Sequence, residues 1–332
     1  MNRSTHTIQR RQRGFTLIEI MVAIVIGLIL TGGIIQVFTA TRQSNRVHEA
    51  ISRMQENGRM ALEVIARDAR MADFWGCAGT ITSVVNNLDS AEPGYIDFGQ
   101  GGIDGTEAGG TSPDTLVFRG GTGNGLVIQP PFGPQASANV SVTADNGLAQ
   151  GDIVLLSDCE QADIFQITNA NPDSSGTVVH NTGSAVSPGN FNATNPLCPG
   201  SNAHCLSKVY EDDARLFTTS VVTYTVATGS EGLPALFRNG QEFLDGIEDL
   251  QVLYGEDTDG DGVADYYVTA TDVADMTQVI SIRFAVVTVS ADDELTDGIN
   301  QTYRVLGANR TAGDTRIRQV YTSTVTIRNR IG

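Results

Sequence analysis

From Phe15 to Ala40 the chain is apolar with one charged residue, Glu19. As a helix rising ~1.5 Å per residue, that stretch is long enough to cross a ~30 Å hydrocarbon core. Beyond it the pattern changes without a break: Val47, Ile51, Met54, Ala61, Ile65 and Ala69 recur near helical spacing. Between them lie Arg46, Glu49, Arg53, Glu56, Arg59, Glu63, Arg67 and Asp68, the polar face of an amphipathic continuation. No proline precedes Pro93. One helix of roughly fifty-five residues is predicted, apolar on all sides first and amphipathic later. Gly32-Gly33 interrupts its apolar half and reads equally as a close packing point against another helix or as a local hinge.

After Asp73 the texture becomes short strand-like runs divided by Gly, Asn, Asp and Pro. Strands are predicted over 115–120, 125–130, 139–144, 152–159, 163–170, 176–181, 217–228, 277–291 and 318–330. The run 241–255 mixes acids with apolar residues and reads as a short helix passing into a strand. The stretches 89–114 and 182–204 read as long loops. The expected fold is α+β, a long N-terminal helix packed on a β-rich C-terminal body. Its segments are 1–14, 15–40 and 41–73, followed by a body over 74–332.

Charge orders these segments. The chain carries 21 basic and 38 acidic residues, a net charge of −17, so the body is a poor match for nucleic acid. Residues 1–14 hold Arg3, Arg10, Arg11 and Arg13 and no acid. A basic leader ahead of an apolar helix and an acidic body predicts a single membrane pass, with the N-terminus cytoplasmic and the body exported. In an oxidising compartment the four cysteines are expected to form disulfides. Cys198 and Cys205 flank a short loop and make the economical local pair, leaving Cys77 with Cys159.

The sharpest local motif in the body is DTDGDGVAD, residues 257–265. Asp257, Asp259, Asp261 and Asp265 follow the D-x-D-x-D-G-x-x-D order of an EF-hand loop, with Gly262 at the turn and the Val263 carbonyl as a further oxygen, which suits Ca²⁺. The twelfth position falls on Val268, which cannot coordinate; Asp265, Glu256 or Asp272 would have to complete the shell. The alternative is a polar hairpin turn joining two strands. No nucleophile–base constellation, P-loop or metalloprotease motif is present, so no enzyme is expected.

The start of the apolar run, RGFTLIEIMVAIVIGLIL, resembles the class III signal of type IV prepilins and pseudopilins. The patches RDARMADFWGCAG (67–79), LSDCEQADIFQIT (156–168), LQVLYGEDTDGDGVADYYVTA (250–270) and VYTSTVTIRNR (320–330) resemble PilW-type minor pilins of the type IV pilus. The resemblance implies cleavage by a prepilin peptidase after Gly14 and N-methylation of Phe15. It makes Glu19 the family's signature carboxylate. A charge at membrane depth is normally paired, and the amine created at Phe15 supplies a partner within one subunit or between neighbours. The implied role is structural: an inner-membrane protein acting with other minor pilins, the major pilin and the inner-membrane assembly platform to initiate or tip a pilus. Twitching motility, adhesion or DNA uptake would follow indirectly. The alternatives are a minor pseudopilin of type II secretion and a membrane-anchored adhesin.

Overall fold

The computed structural model describes residues 14–78, 83–132, 139–182, 185–191, 205–296 and 298–330. A single helix, α1 (Leu17–Met71), occupies 55 of these residues and runs through Gly32-Gly33 without a break. The chain divides into two compact units, one up to Ser52 and one from Arg53 onward. In the first, apolar side chains from Phe15 to Phe38 are exposed along the helix, which is long and apolar enough to cross a membrane.

In the second unit the helix has one inner face, set by Gly58, Ala61, Ile65 and Ala69 at spacings of three and four and carried on by Ala72 just past its end. Its side chains are small, so the helix axis comes close to the sheets. At Gly58 an added Cβ would stand 2.4 Å from the Tyr321 ring, so the glycine is the space the ring fills.

The strands in chain order are β1 (Val84–Asn86), β2 (Ile103–Thr106), β3 (Thr115–Val127), β4 (Val140–Ser141), β5 (Ile153–Ser157) and β6 (Ala162–Gln166), then, after the short α2 (Pro172–Ser175), β7 (Thr177–Val178), β8 (Arg215–Thr228), β9 (Pro234–Arg238), β10 (Gln241–Asp245), β11 (Ile247–Glu256), β12 (Tyr266–Val268), β13 (Val279–Val289), β14 (Thr302–Val305), β15 (Ala308–Thr311) and β16 (Arg318–Thr326). One sheet has the order β1-β6-β5-β8-β3-β2, with β9 also paired to β8 and β10 to β9. A second has the order β12-β11-β13-β16. Both contribute to the core under α1: Phe118, Val222, Tyr224 and Leu236 from the first, and Leu250, Tyr254, Ile282, Phe284 and Val325 from the second. A long N-terminal helix packed on a β-rich body is the observed class, pilin-like α+β.

Three expectations change. The run 241–255 holds no helix: β10 and β11 are both strands, parted at Gly246, whose φ of +66° ends one and starts the other. The expected strands 115–120 and 125–130 are one, β3, with an irregular register between Thr122 and Leu126. The expected loop 89–114 contains β2, paired to β3.

The helix end is fixed by buried charges. Asp73, in the left-handed region at φ +61°, donates its amide to Arg119 O at 2.8 Å. Its carboxylate accepts from Arg330 Nε at 2.6 Å, Trp75 Nε1 at 3.0 Å and the Gly102 amide. Arg330 also donates from Nη1 to the carbonyls of Met276 and Val279, each at 2.5 Å. One residue earlier, Asn329 Nδ2 donates to Ala72 O at 2.8 Å. At Gly102 a Cβ would lie 2.2 Å from the Asp73 amide nitrogen, so only glycine lets the two backbones approach. A second buried acid, Asp68, joins α1 to the first sheet, accepting from Tyr224 Oη at 2.6 Å and Arg238 Nη2 at 2.8 Å.

Candidate functional site

At the start of α1, Thr16 and Glu19 hold one another. The Glu19 carboxylate accepts from the Thr16 amide at 3.0 Å and hydroxyl at 2.9 Å, and the Thr16 hydroxyl accepts from the Glu19 amide at 3.3 Å. This is a capping box, Thr-x-x-Glu, satisfying two amides that a helix N-terminus otherwise leaves without partners. The Thr16-x-x-Glu19 spacing is itself the sequence mark of this cap. Gly14 and Phe15 precede the helix, and Phe15 is 85% exposed. Glu19 thus sits one turn from the bond after Gly14, with a backbone partner already in place.

The Asp-rich motif forms the connection between β11 and β12. The Asp265 amide donates to Glu256 O at 2.8 Å and closes the hairpin. Within it the carboxylates accept from the loop's own amides: Asp257 from Gly260 at 2.7 Å and Gly262 at 2.8 Å, and Asp261 from Val263 at 2.8 Å. Asp265 accepts from the Thr258 hydroxyl and amide, which hold its carboxyl below the usual carboxylate range. Asp257, Asp259 and Asp265 each place an oxygen within 4.8 Å of the others, a set that could hold a metal ion. Asp261 stands outside that triad. Of the acids considered for completing the shell, Glu256 is buried and accepts from the amides of Ala274 and Asp275, while Asp272 accepts from Thr269 Oγ1. Val268 lies on β12 opposite Tyr254.

Cys77 and Cys159 form a disulfide that ties the segment after α1 to the β5–β6 turn. Beside it, Asp158 accepts from Lys208 Nζ at 2.6 Å and from the amides of Glu160 and Gln161 at 2.8 Å. Burial pushes the Asp158 carboxyl up, but Lys208 and the two amides outweigh it and hold it below its ordinary range. Cys205 is buried, and its expected partner Cys198 lies outside the described residues.

An apolar helix opening on a capped glutamate, continuous with a helix packed on a β-rich body, defines a prepilin-like chain. The comparisons agree and go further. Residues 9–35 match the prokaryotic N-terminal methylation motif, and residues 223–329 match PilW, the type IV pilus-assembly protein W. The chain therefore carries a methylation-motif start and, from β8 to the residues after β16, the PilW pilus-assembly region. No curated protein and no solved structure matches it.

Proposed function

We propose that this chain is a minor pilin that acts with other minor pilins to initiate or tip a type IV pilus. The observation that carries this is the pairing, in one chain, of a methylation motif at the mouth of an exposed apolar helix with a PilW region in the body. In this reading prepilin peptidase cleaves after Gly14 and Phe15 becomes the N-methylated terminus. Residues 15–40 cross the inner membrane and later pack in the fibre core, with 41–73 continuing into a periplasmic body over 74–332. The new amine at Phe15 is drawn to Glu19, whose carboxylate is already oriented by Thr16. Because a lone charge in lipid is costly, a neighbour's amine placed at Glu19 favours the docked helix over the solitary one.

The Asp-rich hairpin is proposed to bind Ca²⁺ through Asp257, Asp259 and Asp265, with Asp261 and the Val263 carbonyl available on the same loop. Hard oxygen donors at this density suit that ion, whose role is to pin the β11–β12 turn.

Mass spectrometry of the mature protein from cells with and without prepilin peptidase should show methylated Phe15 at the N-terminus only when the peptidase is present. Any other N-terminus refutes the scheme. Deleting the gene should remove surface pili and twitching. Loss of secreted enzymes with pili intact indicates a type II secretion pseudopilin instead, and loss of attachment alone indicates an adhesin. Glu19→Ala should leave processing and insertion unchanged and lower pilus number; an unchanged number rejects the pairing role.

A further inference from the structure

Beside the Gly58–Ala72 stripe of α1 runs a second one, Met60, Val64, Arg67 and Met71, at spacings of three and four, with Asp68 next to Arg67. It borders two cavities, of about 340 and 300 Å³. The first is closed by Phe118–Thr122 of β3 and by Ser220 and Val222 of β8; the second by Gln241, Glu242 and Phe243 of β10. Arg67 and Arg238 line both, so the two form one groove with two guanidinium groups at its middle.

Three features of this groove point to a ligand. Arginines outnumber acids in its lining, Arg67, Arg119 and Arg238 against Asp68 and Glu242, in a protein with 38 acids against 21 bases. Asp68 is shared, Arg238 on one oxygen at 2.8 Å and Arg67 on the other at 3.4 Å, and Glu242 is engaged by the Ser230 amide at 2.7 Å. Arg119 donates from Nη2 to Asp104 at 2.8 Å, while its buried Nε and Nη1 have no acceptor. Donor capacity thus exceeds the acceptors present. The walls beside the arginines are apolar and uncovered, with Met60 44% and Met71 57% exposed; thioethers adapt readily to a partner's shape. Finally, β10 pairs with no strand but β9 among the described residues, and Asn57 Nδ2 takes the Asp245 carbonyl at its end; the rest of such an edge accepts an added strand.

We infer that this groove docks an extended, apolar segment of another pilus subunit, with an Asp or Glu side chain of that segment seated between Arg67 and Arg238. The inference rests on the assembly role proposed above for the identity of the partner. Nε and Nη2 of both arginines donate to Asp68, so the carboxylate would meet Nη1 of each, in a charge-assisted contact. Apolar neighbours on the segment would cover Met60, Val64 and Met71, and its backbone would lie along β10.

The test is photocrosslinking of the full-length chain in its host membranes, with p-benzoylphenylalanine at Met71 and, as a control on the exposed face, at Glu63. The inference expects the Met71 probe to yield a crosslinked peptide from another pilus subunit that contains an acid among apolar residues. Yield should fall at least fivefold in Arg67→Gln, which removes the charge without adding an acid beside Asp68. In the Arg67→Glu chain it should return when the partner's acid is changed to Arg. Unchanged Trp75 fluorescence shows that each variant is folded. Crosslinking no higher than at Glu63, yield indifferent to Arg67, or a crosslink only to a second copy of this chain overturns it. If deletion leaves pili intact but the charge-dependent crosslink persists, the assembly role fails and the acidic-segment groove stands.

Discussion

Arg330 is the last of the described residues, yet its side chain is 5% exposed and faces Asp73, 4% exposed, at 2.6 Å. Replacing it with Met keeps the length of the side chain and removes five donors. Asp73 is then left ionised and buried, with the Trp75 indole and Gly102 amide as remaining donors, and the carbonyls of Met276 and Val279 lose the hydrogen bonds that Nη1 makes to them. Breaking one side of a buried ion pair costs about 3–5 kcal/mol, a large part of the ~5–15 kcal/mol that holds an ordinary domain folded. At an m-value of about 3 kcal/mol/M, the urea midpoint should drop by about 1 M or more.

The assay is built into the protein. Trp75 is the chain's one tryptophan, is 1% exposed, and donates to Asp73, so its fluorescence in urea reports unfolding at the pair itself. Asp73→Asn completes the cycle, because asparagine tolerates the left-handed backbone that Asp73 adopts at φ +61°. The double variant should be more stable than the sum of the two losses requires, by about 2 kcal/mol, since it buries no unpaired charge. A midpoint for Arg330→Met within 0.3 M of wild type (about 1 kcal/mol at that slope), or strictly additive losses, would refute the assignment of Arg330 as the lock on the helix end.

That lock shows where sequence reading stops. The helix was legible because its evidence is periodic: apolar residues, then a stripe at three and four, bounded it to within a residue or two of Leu17–Met71. The Asp-rich hairpin was legible because its turn chemistry lies within nine residues. The β9–β10 hairpin had an equally local mark, Asn239-Gly240, whose φ of 52° and 73° fit the tight turn that this dipeptide favours. The acids in 241–255 also fit a helix start, and pairing with β9 decides for the strand. The patches 67–79 and 320–330 stood out only as separate resemblances. In the fold they meet, through Asn329 on Ala72 and Arg330 on Asp73, at a sequence separation of 257. No local pattern encodes that contact, because it depends on where β16 ends against the helix. The same holds for Arg238, brought from β9 to Asp68 at a sequence separation of 170.

Three further outcomes follow from named contacts. Cys77→Ser with Cys159→Ser opens a closure spanning 82 residues; the chain-entropy model puts its loss at about 4.5 kcal/mol, and a urea midpoint unchanged by the pair of substitutions or by reductant would contradict it. Millimolar Ca²⁺ should raise the melting temperature of the full-length protein by several degrees, in line with about 2.7 kcal/mol at a hundredfold excess over Kd, and Asp257→Asn with Asp265→Asn should abolish the rise; no shift in the wild type disposes of the metal. The pH dependence of stability should carry two slopes of opposite sign. Asp158 is held low, so its contribution is present above the unfolded carboxylate value and is lost as pH falls below about 4; Asp158→Asn should flatten the acid limb. Asp249, buried against Arg310, is pushed up to about 6, burial outweighing the arginine. Its folded value lies above its unfolded one, so its contribution is complete below the unfolded value of 3.8 and is lost as pH rises through about 6. Two pH units correspond to about 3 kcal/mol at most. Asp249→Asn should therefore remove a decline between pH 4 and 6 while leaving the acid limb to Asp158. If the wild-type and Asp249→Asn midpoints run parallel across that window, Arg310 holds the carboxylate ionised throughout and the burial argument fails.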